Sequence, residues 1–358
     1  MRIALVHDYL NQYGGAERVL EVLCEIFPDA PIYTLLYDER MTGGVFKYRE
    51  VRTSFLQNFP FARSHHRAFP LLMPLAVEQF DLSYFDVVLS VSASFIKGVI
   101  TKPNTKHINY CLTPTRFLWD DSHRYIDEFR YSWPIKKLVP FFITYLRLWD
   151  KEASLRVDKF VGISNFVRER IKKYYNQESD LIYPPVESHK YYISDKQDDY
   201  FLMVGRLVPY KKFDLAVRTF SAMGKKLKIV GDGPERKHLE KISDSNIEFL
   251  GLVSDYKMPE IYAQAQALIF PQEEDFGIVP LEAMASGRPV IAYRGGGALE
   301  TIEEGKTGIF FDDQTEIALA QALGEYYRID WNPKAIRQHA LKFDKEVFKK
   351  KIIDIIGL

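Results

Sequence analysis

The chain has 358 residues, more than one hydrophobic core usually accommodates, so two domains are expected. Its 48 basic residues balance 48 acidic ones, which excludes a general polyanion binder and gives no reason to expect a nucleic acid partner. Cys24 and Cys111 sit in apolar stretches with no second thiol or histidine at metal spacing, which excludes a disulfide framework and a zinc site and fits a reduced, cytoplasmic protein.

In chain order, the run 3–6 is too short for a secretory signal and reads as a buried first strand. Tyr13-Gly14-Gly15-Ala16-Glu17-Arg18 follows, a glycine pair opening a helix through Val19, Leu20 and Leu23. Glycines at a strand-to-helix turn let backbone amides approach an anionic ligand, though a simple tight turn explains the pair equally well. Between Phe55 and Trp149, aromatic residues (Phe59, Phe61, Phe69, Trp119, Trp133, Phe141, Phe142) are interspersed with Arg and Lys. That mixture suits a membrane headgroup interface as well as it suits ordinary core helices. No segment offers about 18 uninterrupted apolar residues, so membrane contact is expected to be peripheral only.

Apolar or β-branched runs at 87–91, 107–110, 159–162, 200–204, 226–230, 247–249, 267–270 and 289–292 alternate with helical patterns. This places the chain in the α/β class, with parallel sheets covered by helices. The polar segment 187–199 is the expected linker, dividing an N-terminal domain (1–186) from a second domain that runs to about 339.

The second half carries the chemistry. Val204-Gly205-Arg206-Leu207-Val208-Pro209-Tyr210-Lys211-Lys212 puts three cations at the carboxyl end of a parallel strand, where open α/β sheets bind ligands. They suit a diphosphate; a solvated basic turn is the plain alternative. After the strand ending at Phe270 come Glu273-Glu274-Asp275-Phe276-Gly277-Ile278-Val279-Pro280-Leu281-Glu282. If the helix begins near Pro280, Glu282 lies in its first turn and Glu274 on the loop before it, one carboxylate for sugar hydroxyls and the other for a ribose. Acidic residues near a helix start are also common as dipole compensation.

The string GRLVPYKK, GDGP, EDFGIVPLE, EAMASGRPVIA and GGALETI, in that order, resembles the donor-binding half of glycosyltransferase family four, the group 1 GT-B enzymes. The resemblance implies two Rossmann-like domains facing a central cleft, with a terminal helix at about 340–358 crossing back to the first domain. It implies a retaining, metal-independent hexosyltransferase with no cofactor beyond its nucleotide-sugar. Arg206 and Lys211 would hold the donor diphosphate, with Lys212 standing where glycine is often found. Glu274 would contact the transferred sugar and Glu282 the ribose, with Phe276, Gly277, Ile278 and Val279 contributing amides. The base would lie near Gly251, Leu252 and Val253, and Gly14 and Gly15 would reach the donor from the first domain. Catalysis is thereby assigned to Arg206, Lys211 and Glu274.

The segments HDYLNQYGGAERVL, YCLTPTRFLWD, GISNFVRERI and IYPPV resemble the WbaZ-like mannosyltransferases of bacterial surface polysaccharide assembly. That narrower resemblance implies GDP-mannose as donor and a saccharide or lipid-linked saccharide as acceptor, Arg116 and Trp119 on the acceptor side, and work at the inner face of the cytoplasmic membrane. Leu112 stands where such relatives often have histidine. His107 and His123, both nearby, read as structural. A UDP-sugar donor and a non-catalytic nucleotide-sugar-binding scaffold subunit are the competing expectations.

Overall fold

The computed structural model describes residues 1–120 and 133–358. His123 lies outside the described residues, as do the side chains of Arg67 and of 133–138. The chain divides into two compact units, one made of Met1–Tyr183 with Phe348–Leu358, the other of Pro184–Val347.

The first unit is built on a seven-stranded sheet in the order β3-β2-β1-β4-β5-β6-β7, parallel throughout. The strands are β1 (Ile3–His7), β2 (Ile32–Thr34), β3 (Val51–Thr53), β4 (Val87–Ser92), β5 (Lys106–Cys111), β6 (Lys159–Gly162) and β7 (Ser179–Leu181). β1 and β4 are buried along their whole length, as strands covered on both faces must be, and hence read as predominantly apolar runs, interrupted in β4 by the buried Ser90. The helices Met73–Glu78 and Trp133–Ser154 contribute Met73, Ala76, Val77, Ile143 and Leu146 to the core over β1 and β4.

The second unit has a six-stranded parallel sheet in the order β10-β9-β8-β11-β12-β13. Its strands are β8 (Phe201–Val204), β9 (Leu227–Val230), β10 (Ile247–Gly251), β11 (Leu268–Phe270), β12 (Val290–Tyr293) and β13 (Gly308–Phe311). The helices Phe213–Met223 and Glu316–Tyr326 close one face, packing Phe213, Val217, Phe220, Leu319 and Leu323 onto Met203, Ile229 and Ile291.

The α/β class is borne out. Strands β2, β3, β7 and β13 were not among the expected runs. The first three have only three residues each, and β3 and β7 are half-exposed edges, so neither length nor apolar continuity marks them. The polar segment before β8 belongs to the second unit. Arg337 donates to the Tyr191 carbonyl at 2.6 Å and the Ser188 carbonyl at 3.3 Å, and Arg288 to the Ser194 carbonyl at 3.0 Å. Two guanidiniums thus add hydrogen bonds to the carbonyls of a stretch whose regular structure is limited to the single turn Ser188–Lys190.

The last helix, Lys345–Ile356, begins in the second unit and ends in the first. There Phe348 meets Tyr110 edge-on at 5.5 Å, Lys349 pairs with Glu25 at 2.7 Å and Lys106 caps the Ile355 carbonyl at 3.1 Å. Among the described residues no helix is long and apolar enough to cross a membrane.

Candidate functional site

In both sheets the strand order reverses once, between β1 and β4 in the first and between β8 and β11 in the second. Connections leave in opposite directions at such a point, so a crevice opens beyond the carboxyl ends of the two strands.

In the second unit the turns after β8 and β11 meet across that crevice. Lys211, at the end of the short turn Pro209–Lys211, reaches Glu274 on the loop after β11 with Nζ 2.8 Å from Oε1. A Cβ at Gly205 (φ 153°) would lie 3.1 Å from Lys211 Nζ, so the absence of a side chain there leaves the ammonium its path. Burial alone would depress the Lys211 pKa, but the charge of Glu274 and the hydrogen bond to it outweigh burial and raise it. The pair is therefore a cation and an anion, both mostly buried, each partly neutralised by the other.

Gln272 supports this arrangement, donating from Nε2 to Glu274 Oε1 at 3.2 Å while buried itself. Nothing in the sequence singles out this glutamine, although it stands on the same loop two residues before Glu274. Arg206 leaves the same turn as Lys211 but is exposed. Lys212 adopts a left-handed conformation (φ 54°, ψ 35°) and opens the helix Phe213–Met223, a backbone region where glycine carries no steric cost.

The loop holding Glu274 is pressed from behind by Gly295-Gly296-Gly297. The Gly297 amide donates to the Glu274 carbonyl at 2.9 Å, and a Cβ at Gly297 would lie 2.3 Å from Phe276 Cα. Phe276 is itself buried, 6.1 Å from the Phe343 ring. Gly277 starts the helix Ile278–Ala285 with no side-chain cap, leaving the amides of the first turn, Ile278 and Val279 among them, without an intrahelical acceptor. Here the expectation needs correcting. The helix begins at Ile278 rather than near Pro280, so Glu282 is its fifth residue and lies in the second turn. Glu282 is buried and accepts a hydrogen bond from Tyr262 at 2.7 Å, a partner the sequence does not reveal because Tyr262 belongs to the separate helix Met258–Gln264. Gly251 is the last residue of β10 and takes φ 68°; Leu252 beyond it is exposed and Val253 half-buried.

In the first unit the Asp8 carboxylate, just after β1, accepts from the amides of Ala93, Ser94 and Ile96 at 2.7 to 2.8 Å, fixing the turn after β4. Gly15 begins the helix Gly15–Ile26, and the Gly14 amide is taken by Glu17 at 2.8 Å. Arg116 and Trp119 bound the short helix Arg116–Trp119. Trp119 is committed to packing: its indole N–H goes to Asp150 at 2.9 Å, its ring stacks on Tyr174 at 4.9 Å, and Arg147 lies over it. Asp150 also takes Thr115, Tyr175 and the buried Lys97, so one sequestered carboxylate organises the loop after β5. His107 is buried on β5 against Ser90 at 2.8 Å.

Residues 198–328 match a family model described as Glycosyl transferases group 1. The chain is 26% identical over 212 residues to an uncharacterized glycosyltransferase, MJ1178, of Methanocaldococcus jannaschii, covering 58% of this chain and 60% of that one. It is 34% identical over 140 residues to the GDP-mannose-dependent alpha-(1-6)-phosphatidylinositol monomannoside mannosyltransferase of Mycobacterium tuberculosis, covering 34% and 36%. The alignments thus span 60% or less of these relatives. Among solved structures, Anabaena Alr3699/HepE in complex with UDP and glucose superposes with a TM-score of 0.73 over all of both chains at 17% identity, a likeness of fold.

Proposed function

We propose that this chain, which carries a group 1 glycosyltransferase domain at residues 198–328, transfers a hexose from a nucleotide-sugar to a saccharide acceptor. The observation that carries this reading is the meeting of Lys211 and Glu274 across the β8/β11 switch point. A cation and a carboxylate held there, with Arg206 on the same turn and an uncapped helix start beside them, match the needs of a diphosphate joined to a polyhydroxylated ring. As the bond from the anomeric carbon to the diphosphate breaks, Arg206 and Lys211 stabilise the negative charge gathering on the leaving oxygens. Glu274, turned from Lys211 to the sugar hydroxyls, orients the ring. The cationic work falls to these two side chains, which supports a metal-independent reaction; its assignment to the retaining class rests on the resemblance of the sequence motifs to the group 1 enzymes.

The finer reading is mannosyl transfer from GDP-mannose to a lipid-linked saccharide in surface polysaccharide assembly. It draws on the likeness to a GDP-mannose-dependent enzyme over 140 residues and on the WbaZ-like segments of the first unit. A UDP-sugar donor is the second reading, favoured by the fold shared with a UDP-binding protein.

A panel of nucleoside diphosphates tested for thermal stabilisation with EDTA present decides both points. A ligand at 100 times its Kd adds about 2.7 kcal/mol. A shift with GDP alone supports the mannosyl reading, a shift with UDP the alternative, and no shift with either overturns the assignment. Donor turnover then separates an enzyme from a scaffold: alanine at Lys211 should lower it by roughly 10²-fold or more.

A further inference from the structure

Between Glu50 and Glu78 the chain has no acidic residue, while Arg63, His65, His66 and Arg67 fall close together within it. This segment folds as short turns beside the carboxyl edge of the first sheet, rooted in the core by Leu56, Ala62 and Met73. Four of its other large apolar residues are exposed: Phe61 at 77%, Leu75 at 50%, Phe59 at 40% and Leu71 at 39%, while Phe55, Phe69 and Leu72 pack partly against the core.

Phe61 is the informative one. It holds φ 62°, ψ 0°, a left-handed conformation that is an outlier for a bulky side chain, and it spends that strain on placing an aromatic ring in solvent. The surroundings fix it there. The Phe61 carbonyl accepts from His65 at 2.8 Å, and Asn11, on the loop after β1, donates to the Arg63 carbonyl at 2.9 Å and meets His66 Nδ1 at 2.8 Å. Tyr9 packs on the His66 ring at 4.5 Å. Behind the tip an aromatic ladder, Phe55 to Phe59 at 5.7 Å and Phe59 to Phe69 at 6.2 Å, ties the turn to the core. A folding requirement would turn a strained phenylalanine inward.

We propose that the segment Phe59–Leu75 is a membrane-docking surface whose occupant is a bilayer containing anionic lipid. The apolar tips enter the headgroup boundary, and Arg63 with its neighbouring histidines faces the lipid phosphates, in a stretch that offers no carboxylate to repel them. Asn11 couples this surface to the turn after β1, so a chain docked through it holds the carboxyl edge of its first sheet close to the lipid.

The test is co-flotation of the full chain with vesicles of phosphatidylcholine alone or mixed with phosphatidylglycerol, at low and high salt. Wild type should float with the anionic vesicles at low salt and be largely released at high salt. Phe61→Gly should weaken vesicle binding at least about tenfold, yet melt no lower than wild type, because glycine relieves the left-handed strain. Arg63→Glu should lose the anionic preference. Failure of wild type to float, equal flotation of Phe61→Gly, or capture only of a soluble protein by this face would each overturn the proposal. Nucleotide-induced stabilisation measured on the same samples reports the donor site separately, so either reading can fail alone.

Discussion

The Lys211–Glu274 pair gives the candidate site a property that neither residue has alone. Each charge is held by the other, so a diphosphate bound as proposed would compete with Glu274 for the ammonium. Replacing Glu274 with Gln removes the competitor and keeps the shape. Nucleoside diphosphate binding should therefore tighten, by about fivefold for the loss of a partly buried ion pair, while sugar transfer falls by roughly 10²-fold. Calorimetry on the variant with the diphosphate alone, beside a transfer assay, tests this; weaker diphosphate binding would place Glu274 on the phosphate side instead.

His107 supplies a second prediction at this scale. Burial pushes its pKa down to about 4, against smaller opposing pulls from the Arg156 backbone and Asp158. Because the folded value lies below the unfolded one of about 6.5, the unfolded chain binds the proton more readily between the two. The contribution of the neutral ring is complete above pH 6.5 and is lost as pH falls towards 4, by up to about 3 kcal/mol. Urea unfolding across that range should show His107→Gln losing less stability on acidification than wild type. A constant difference between the two proteins would reject the assignment.

At the scale of elements, the loops after the strands are held by contacts with other loops. The GGALETI turn acts as a mould for the loop that presents Glu274: Gly297 has an ordinary helical conformation (φ −67°, ψ −14°), so alanine there brings no backbone strain, only a methyl group against Phe276. Gly297→Ala should displace the Glu274 loop, costing about 1–3 kcal/mol of stability and, through misplacement of the carboxylate, as much as 10²-fold in turnover. Melting temperature and kcat on one preparation check it. Full turnover would mean that the loop accommodates the methyl elsewhere. The same scale explains why the glycines stand out in the sequence while their partners do not. A glycine cluster announces a close backbone approach, but only the fold says that Gly297 approaches Phe276.

For the whole molecule, the path of the chain matters most at its end. Phe348, 2% exposed, fills the first unit although the whole of the second unit separates it from Tyr110 in sequence. Phe348→Ala should cost about 3–5 kcal/mol, as large-to-small changes at buried aromatics do. The loss should fall on the first unit, so the nucleotide stabilisation proposed for the second should persist in the variant. Loss of both would mean that the two units unfold as one.

What the sequence determined by itself is what periodicity and local chemistry encode. Predominantly apolar runs such as those of β1 and β4 are legible because both faces are buried, and their alternation with helical patterns is enough to establish parallel α/β architecture. The glycine and acidic motifs of the second half are contiguous, so their order could be read directly. Three-residue strands such as β2 and β7 could not, since so short a segment takes its conformation from its neighbours. Nor could the start of the helix at Ile278, which depends on the left-handed turn at Gly277. The pairing of Lys211 with Glu274, the support of Gln272 and Tyr262, the arginine clamps on the segment before β8 and the return of Phe348 were all decided by tertiary structure. All but the contact of Gln272 with Glu274, which are two residues apart, join residues far apart in the chain, and strand order, which no local pattern records, is what brings those within reach.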